Sequence, residues 1–168
     1  MIEGDQPADA LPVLADLLAI GDRIDGSRDL MTYARHNRAE ANLLLGRLDE
    51  AEQDFRAVLV EYEGRQESGV DSSGVQFGLA KIAAQRGHHA EAVEGFTQAL
   101  ATVRELVGED GPWTLKTRFE LANLARRNGN SAEARAEHDA VLAARTRVLG
   151  PDHPDTAASR TAVAGFGG

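Results

Sequence analysis

Five histidines, with the carboxylates and arginines near them, are the side chains of this chain best suited to moving protons or holding a metal near neutral pH. His36 and Glu40 lie four apart, so a helix would put them on one face, as an acid–base pair or as an ordinary surface pair. His88 and His89 follow Gly87. Adjacent side chains in a tight turn point in different directions, so a metal there would need further ligands, and no metal site is expected. Arg126 and Arg127, with Lys116 ten residues earlier, could attract an acidic segment. No cysteine is present, which removes disulfides, thiolate catalysis and thiolate zinc sites together. Nucleophile motifs, phosphate-cradling glycine loops and clusters of metal-ligand spacing are also missing from the sequence. These side chains suit binding rather than turnover, and no catalytic residue, cofactor or metal is expected.

Composition narrows the class further. The 168 residues carry a formal charge of -9, which repels nucleic acid and anionic lipid at long range, so neither is an expected partner. No run approaches the roughly 20 apolar residues of a membrane span, and the opening MIEGDQPADA is acidic where a secretory signal would be basic. A cytoplasmic protein is expected. Alanine fills 28 positions, and runs of alternating β-branched or aromatic residues bounded by turns are missing. The chain therefore reads as all-α.

The elements that hold these side chains repeat. Gly46, Gly87 and Gly129 are 41 and 42 residues apart, each with an alanine seven before (Ala39, Ala80, Ala122) and five after (Ala51, Ala92, Ala134). Leu59, Leu100 and Leu142 keep the same phase, four residues after Phe55, Phe96 and His138. This pattern predicts antiparallel helix pairs, with a glycine at positive φ closing the first helix and small residues letting the axes approach. His138 stands in a phenylalanine column and is expected to pack or to hydrogen-bond between repeats. Ala10, Leu14, Leu17 and Leu18 sit 41 residues before Ala51, Phe55, Val58 and Leu59, so residues 8–27 read as an orphan second helix. Pro154, Thr156 and Arg160 match Pro112, Thr114 and Arg118, so residues 154–168 read as an orphan first helix. Between them lie repeats at 28–69, 70–111 and 112–153, in one repeat domain over 1–168. The boundary at 62–74 is expected to be the loosest link, Trp113 to staple a turn, and His153 to start the last helix.

The stretch TLKTRFELANLARRNGNSAEARAEHDAVLAARTRVLGPDHPDT resembles the 42-residue tetratricopeptide repeat of the kinesin light chain type, with its LA before a glycine, its EA pair and its LGPDHPDT linker. The resemblance implies a right-handed superhelical solenoid of about eight helices, whose first helices line a concave groove for protein segments. The arginine and alanine bias adds the expectation of a GC-rich, actinomycete-like bacterial source. Carried over by register, the implied groove residues are His36, Asn37 and Glu40, then Phe77 and Lys81, then Phe119, Glu120, Asn123, Arg126 and Arg127. Paired asparagines common in such repeats are replaced here by His36-Asn37, Phe77-Gly78 and Phe119-Glu120. The implied function is a non-catalytic module binding a protein or peptide, as part of a larger bacterial regulator. The rival is a small helical enzyme or small-molecule sensor around His36, Glu40 and Arg126. Stacked repeats expose an apolar face where the stack stops. Leu11, Leu14, Leu17 and Leu18 at one end, and Ala157, Val163 and Ala164 at the other, are therefore expected to support self-association or to meet more chain.

Overall fold

The computed structural model describes residues 7–21, 24, 28–64 and 69–167. Among them are eight α-helices and no strand: α1 (Pro7–Gly21), α2 (Arg28–Leu44), α3 (Leu48–Gly64), α4 (Val70–Gln85), α5 (His89–Val107), α6 (Pro112–Arg127), α7 (Ser131–Leu149) and α8 (Pro154–Ala164). The chain divides into two compact units, residues 1–82 and 83–168. Of the boundary expected to be loosest, residues 65–68 lie outside the described part.

One device makes the three tight turns. Gly46, Gly87 and Gly129 adopt φ of 73°, 79° and 87°, the left-handed region that favours glycine. At the first turn the N–H of Arg47 donates to the carbonyl of Asn42 at 2.9 Å and that of Gly46 to Leu43 at 3.1 Å. These are the two bonds of a Schellman motif, which satisfy carbonyls the ending helix leaves over. The same pair recurs from His88 to Ala83 with Gly87 to Ala84, and from Asn130 to Ala125 with Gly129 to Arg126. The carbonyls of Arg47, His88 and Asn130 then accept the N–H of Ala51, Ala92 and Ala134 and open the next helix. One residue thus closes a helix with its N–H and starts another with its C=O. These constraints fix the spacing from glycine to alanine, and all three alanines are fully buried.

In the first unit, Ala39, Ala51, Phe55, Val58, Val75 and Ile82 from α2, α3 and α4 form one apolar cluster. Two ion pairs tie α2 to α3. Arg38 grips Asp54 with two bonds of 2.7 Å, and Arg35 donates to Glu61 at 2.6 Å. The α1 leucines are used more fully than an open end requires. Leu18 packs with Met31 and Ala34 of α2, with Leu14 and Leu17 alongside, while Val13 and Ile20 are exposed instead.

The second unit packs α5 on α6, α6 on α7 and α7 on α8. Its connections use different chemistry from the tight turns. Pro112 and Pro154 open α6 and α8 in the first turn, where a missing N–H costs little. Thr114 donates its hydroxyl back to the carbonyl of Gly108 at 2.7 Å. His153 caps α8, its Nδ1 accepting the N–H of Asp155 at 3.1 Å. Trp113 is half-buried at the turn, with Lys116 Nζ 4.3 Å from its ring centre.

Candidate protein-interaction surface

The candidate groove residues sit on the first helix of each pair, and the two units carry separate sets. In the first unit, His36 is half-buried on α2, its Nε2 3.7 Å from Glu40 Oε1 and its ring edge-on to Phe55 at 5.7 Å. Gly74 of α4 faces the same imidazole, and a Cβ there would stand 3.3 Å from His36 Cε1. Asn37 donates its amide to the carbonyl of Tyr33, one turn back, at 2.9 Å. Phe77 on α4 is only 5% exposed, with Lys81 Nζ 6.0 Å from its ring centre. It is part of the interior and does not offer an open apolar anchor.

In the second unit, α6 carries the remaining five. Glu120 accepts from the amide of Asn123 at 3.3 Å, and Arg126 and Arg127 are exposed. Phe119 is half-buried and lies inside a ladder of rings and cations. Arg145 Cζ is 4.9 Å from the Phe119 ring centre, His138 meets Phe119 edge-on at 5.0 Å, and the tilted ring of Phe166 lies 5.8 Å from that of His138. The Arg126 guanidinium closes the series 5.6 Å from Phe166.

The buried members of this ladder are polar at a cost. His138 is fully buried, and neither ring nitrogen has a hydrogen-bond partner among the described residues. Burial first, then the positive charge of Arg126 and Arg145, holds its pKa below the usual imidazole value, against the opposing pull of Glu137 and Asp139. Arg145 is 3% exposed, and its Nη1 donates to the carbonyl of Asp155 and to Ser159 Oγ while its Nε is unpaired. Burial lowers its pKa, with Asp155 and Glu120 opposing. Arg145 occupies the column filled by Tyr62 and Val103 in the earlier repeats, as His138 occupies that of Phe55 and Phe96. Each charged or polar departure from an apolar column was visible in the sequence, but the part played by Arg145 and Phe166 was missed.

Each unit also holds a cleft on the other side of its first helix. In the second unit a cleft of about 720 Å³ runs between α5, α6 and α7, lined by Val93, Leu100, Leu121 and Ala134, with Arg118 and Arg104 among its polar residues. Arg118 donates to Glu137 at 2.5 Å across α6 and α7, which raises the arginine pKa. In the first unit a cleft of about 350 Å³ lies between α1, α2 and α3, bordered by Leu11, Ala15, Asn42 and the Arg38–Asp54 pair. At 100° per residue, Arg38 and Asn42 project from the side of α2 opposite His36, Asn37 and Glu40, and Arg118, Leu121 and Ala125 from the side of α6 opposite Phe119, Asn123 and Arg127. Neither cleft is lined by His36, Glu40 or Arg126, the three residues of the rival enzyme or sensor reading. Among the described residues no group of three or more His, Asp or Glu is placed to hold a metal ion.

Helix pairs recurring at 41 to 42 residues, each closed by the same glycine turn, define a helical-repeat protein of the solenoid class. The tetratricopeptide repeat family model matches residues 71–136 and 117–165, more than half of the chain, and the chain belongs to that family. Solved structures agree on the fold. BtubC (BKLC) from P. vanneervenii superposes with a TM-score of 0.74 at 16% identity over 97% of this chain. A kinesin light chain candidate of Podosopora anserina with nearly identical TPR-like repeats gives 0.70 at 24% identity over 96% of this chain, and a variant of it gives 0.71. The chain spans 66% of the length of the first of these structures and 77% of the other two. No curated protein matches the sequence. Among the described residues no helix is long and apolar enough to cross a membrane.

Proposed function

We propose that this chain is a non-catalytic protein-interaction module, working in the cytoplasm as part of a larger bacterial regulator. It holds an acidic polypeptide segment against the outward side of its first helices. Membership of the tetratricopeptide repeat family supports the class, because such repeats serve as scaffolds for other proteins. The observation that carries the particular reading is the α6 face, where Arg126 and Arg127 are exposed and Phe119, two turns earlier on the same side, is half-buried. A partly exposed ring and cationic tips on one side of a helix suit an acidic segment bearing one apolar side chain. In the first unit the candidate contacts are His36, Asn37, Glu40 and Lys81, on α2 and α4. A second copy of the chain, joined through the terminal helices, is the other partner included in this reading.

An array of acidic peptides, each with one central leucine or phenylalanine, tests the α6 face by fluorescence polarisation. Arg126→Glu with Arg127→Glu reverses two exposed charges; because Arg126 also lies against Phe166, Arg127→Glu alone and circular dichroism of both variants separate lost contact from lost packing. We expect at least a tenfold loss of peptide affinity, and a wild-type affinity that falls with added salt. Equal binding by the double variant would remove the α6 surface from the reading. The 720 Å³ cleft supports a second contact surface on the opposite side of α6. Peptide binding lost in Val93→Asp, on its rim, but kept in the double arginine variant would favour that cleft.

A further inference from the structure

The clefts of the two units are the same feature of the repeat. Each of the eight residues lining the smaller cleft has its counterpart, two repeats later, in the wall of the larger one. Three of these pairs change character: Arg38, Asn42 and Gln53 stand where the second unit has Leu121, Ala125 and Ala136. The fold therefore accepts apolar residues at these positions, and the polar set is particular to the first unit. Arg38 is accounted for by its clamp on Asp54, which uses Nε and Nη2. Asn42 is not. It is only 5% exposed, and its carboxamide has no hydrogen-bond partner among the described residues, whereas the more open Asn37 and Asn123 spend theirs on Tyr33 and Glu120. A buried amide normally finds a partner, and this one lines a cleft of about 350 Å³.

We propose that the cleft between α1, α2 and α3 is a second peptide site, in which Asn42 reads the main chain of one residue in an extended partner segment. This rests on the reading of the chain as a protein-interaction module and is separate from the acidic segment on α6. The chemistry of the amide selects the ligand. A carboxamide presents an acceptor and a donor side by side. In an extended strand the N–H and C=O of one residue point to the same side, so Asn42 accepts from the first and donates to the second, as two strands do across a hydrogen-bonded pair. A carboxylate or phosphate would use the donor alone and a cation the acceptor alone, each leaving half of the buried amide unpaired. Arg38 Nη1, with no partner among the described residues, is a further donor for a carbonyl along the segment. The charges of the lining balance, Arg38 and Arg47 against Glu50 and Asp54, so the segment that suits this cleft is neutral, unlike the one at α6.

The probe is a blocked trialanine, acetyl-Ala-Ala-Ala-methylamide, titrated into the isotope-labelled full chain and followed by NMR. Analogues in which each alanine in turn is replaced by lactic acid remove one N–H at a time, because an ester has none. Asn42→Ala installs the residue that fills this column in the later repeats, Ala83 and Ala125, and circular dichroism checks its fold. We expect the side-chain amide signals of Asn42 to shift saturably with trialanine. One lactyl analogue should bind about tenfold more weakly than the parent, the worth of one hydrogen bond. Asn42→Ala should lose saturable binding. No saturable shift at Asn42, or equal affinity for all the probes, overturns the proposal, and neither result needs the variant to fold. Saturable binding retained by a folded Asn42→Ala overturns it as well. The α6 surface stands or falls separately, on acidic peptides and Arg127→Glu.

Discussion

His138 makes the second unit acid-sensitive, and replacing it by phenylalanine should remove that sensitivity. The folded imidazole is fully buried against the rings of Phe119 and Phe166 with both nitrogens unpaired, and burial with Arg126 and Arg145 holds its pKa below the ordinary value. In the unfolded chain it titrates near 6.5. Below that value the unfolded state binds the proton that the folded state refuses, so stability falls as pH falls. While the folded imidazole stays neutral, the loss approaches about 1.4 kcal/mol per pH unit. His138→Phe restores the residue type of the two earlier repeats. It removes orphaned polar atoms that cost about 1–3 kcal/mol and adds ring volume that can cost a similar amount. At pH 7.5 the two changes should nearly cancel, leaving the pH slope as the signature. The only tryptophan, Trp113, lies on α6 and reports on this unit, so urea unfolding followed by its fluorescence at pH 7.5, 6.5 and 5.5 gives the measurement. Wild type should lose at least about 1 kcal/mol more than His138→Phe between the first and last pH. Parallel loss in the two proteins would refute the reasoning, because the remaining four histidines are common to both.

Two further comparisons set a buried feature against an exposed one. Gly78→Ala places a methyl 2.4 Å from the Phe55 ring, so overpacking of about 1–3 kcal/mol should outweigh the helix propensity gained. Gly64→Ala meets no atom within 4 Å and should be neutral or slightly stabilising, and thermal unfolding by circular dichroism separates the two. Arg38→Ala strands Asp54, whose side chain is 7% exposed, and should cost about 3 kcal/mol. Arg56→Ala breaks a one-turn surface pair with Glu52 and should cost about 0.5 kcal/mol or less, so equal costs in urea unfolding would contradict the assigned role of the α2–α3 clamp.

The repeat was legible because each of its columns answers a local need. A glycine that must take positive φ, and an alanine whose N–H meets a carbonyl one turn back, are fixed by neighbours in sequence, so spacing alone pointed to the turns at Gly46, Gly87 and Gly129. Faces were harder to read. Helix α4 buries Ser73, Gly74, Val75, Phe77, Gly78, Ala80, Ile82 and Ala83, which point right round its circumference, so no apolar stripe could say whether Phe77 faced in or out. The register supplied a groove position and the packing placed the ring inside. On α6 and α7 the reverse held. His138 and Arg145 broke apolar columns and so announced something particular, but periodicity could not show that Phe119, Phe166 and Arg126 complete their surroundings, because that ladder joins α6, α7 and the segment after α8. Columns record what every repeat requires to fold. Departures at buried positions have no such requirement behind them and carry a desolvation cost, so they point to what this chain does beyond folding. By that criterion the His138–Arg145 ladder under the α6 surface deserves mutation before the regular turns do.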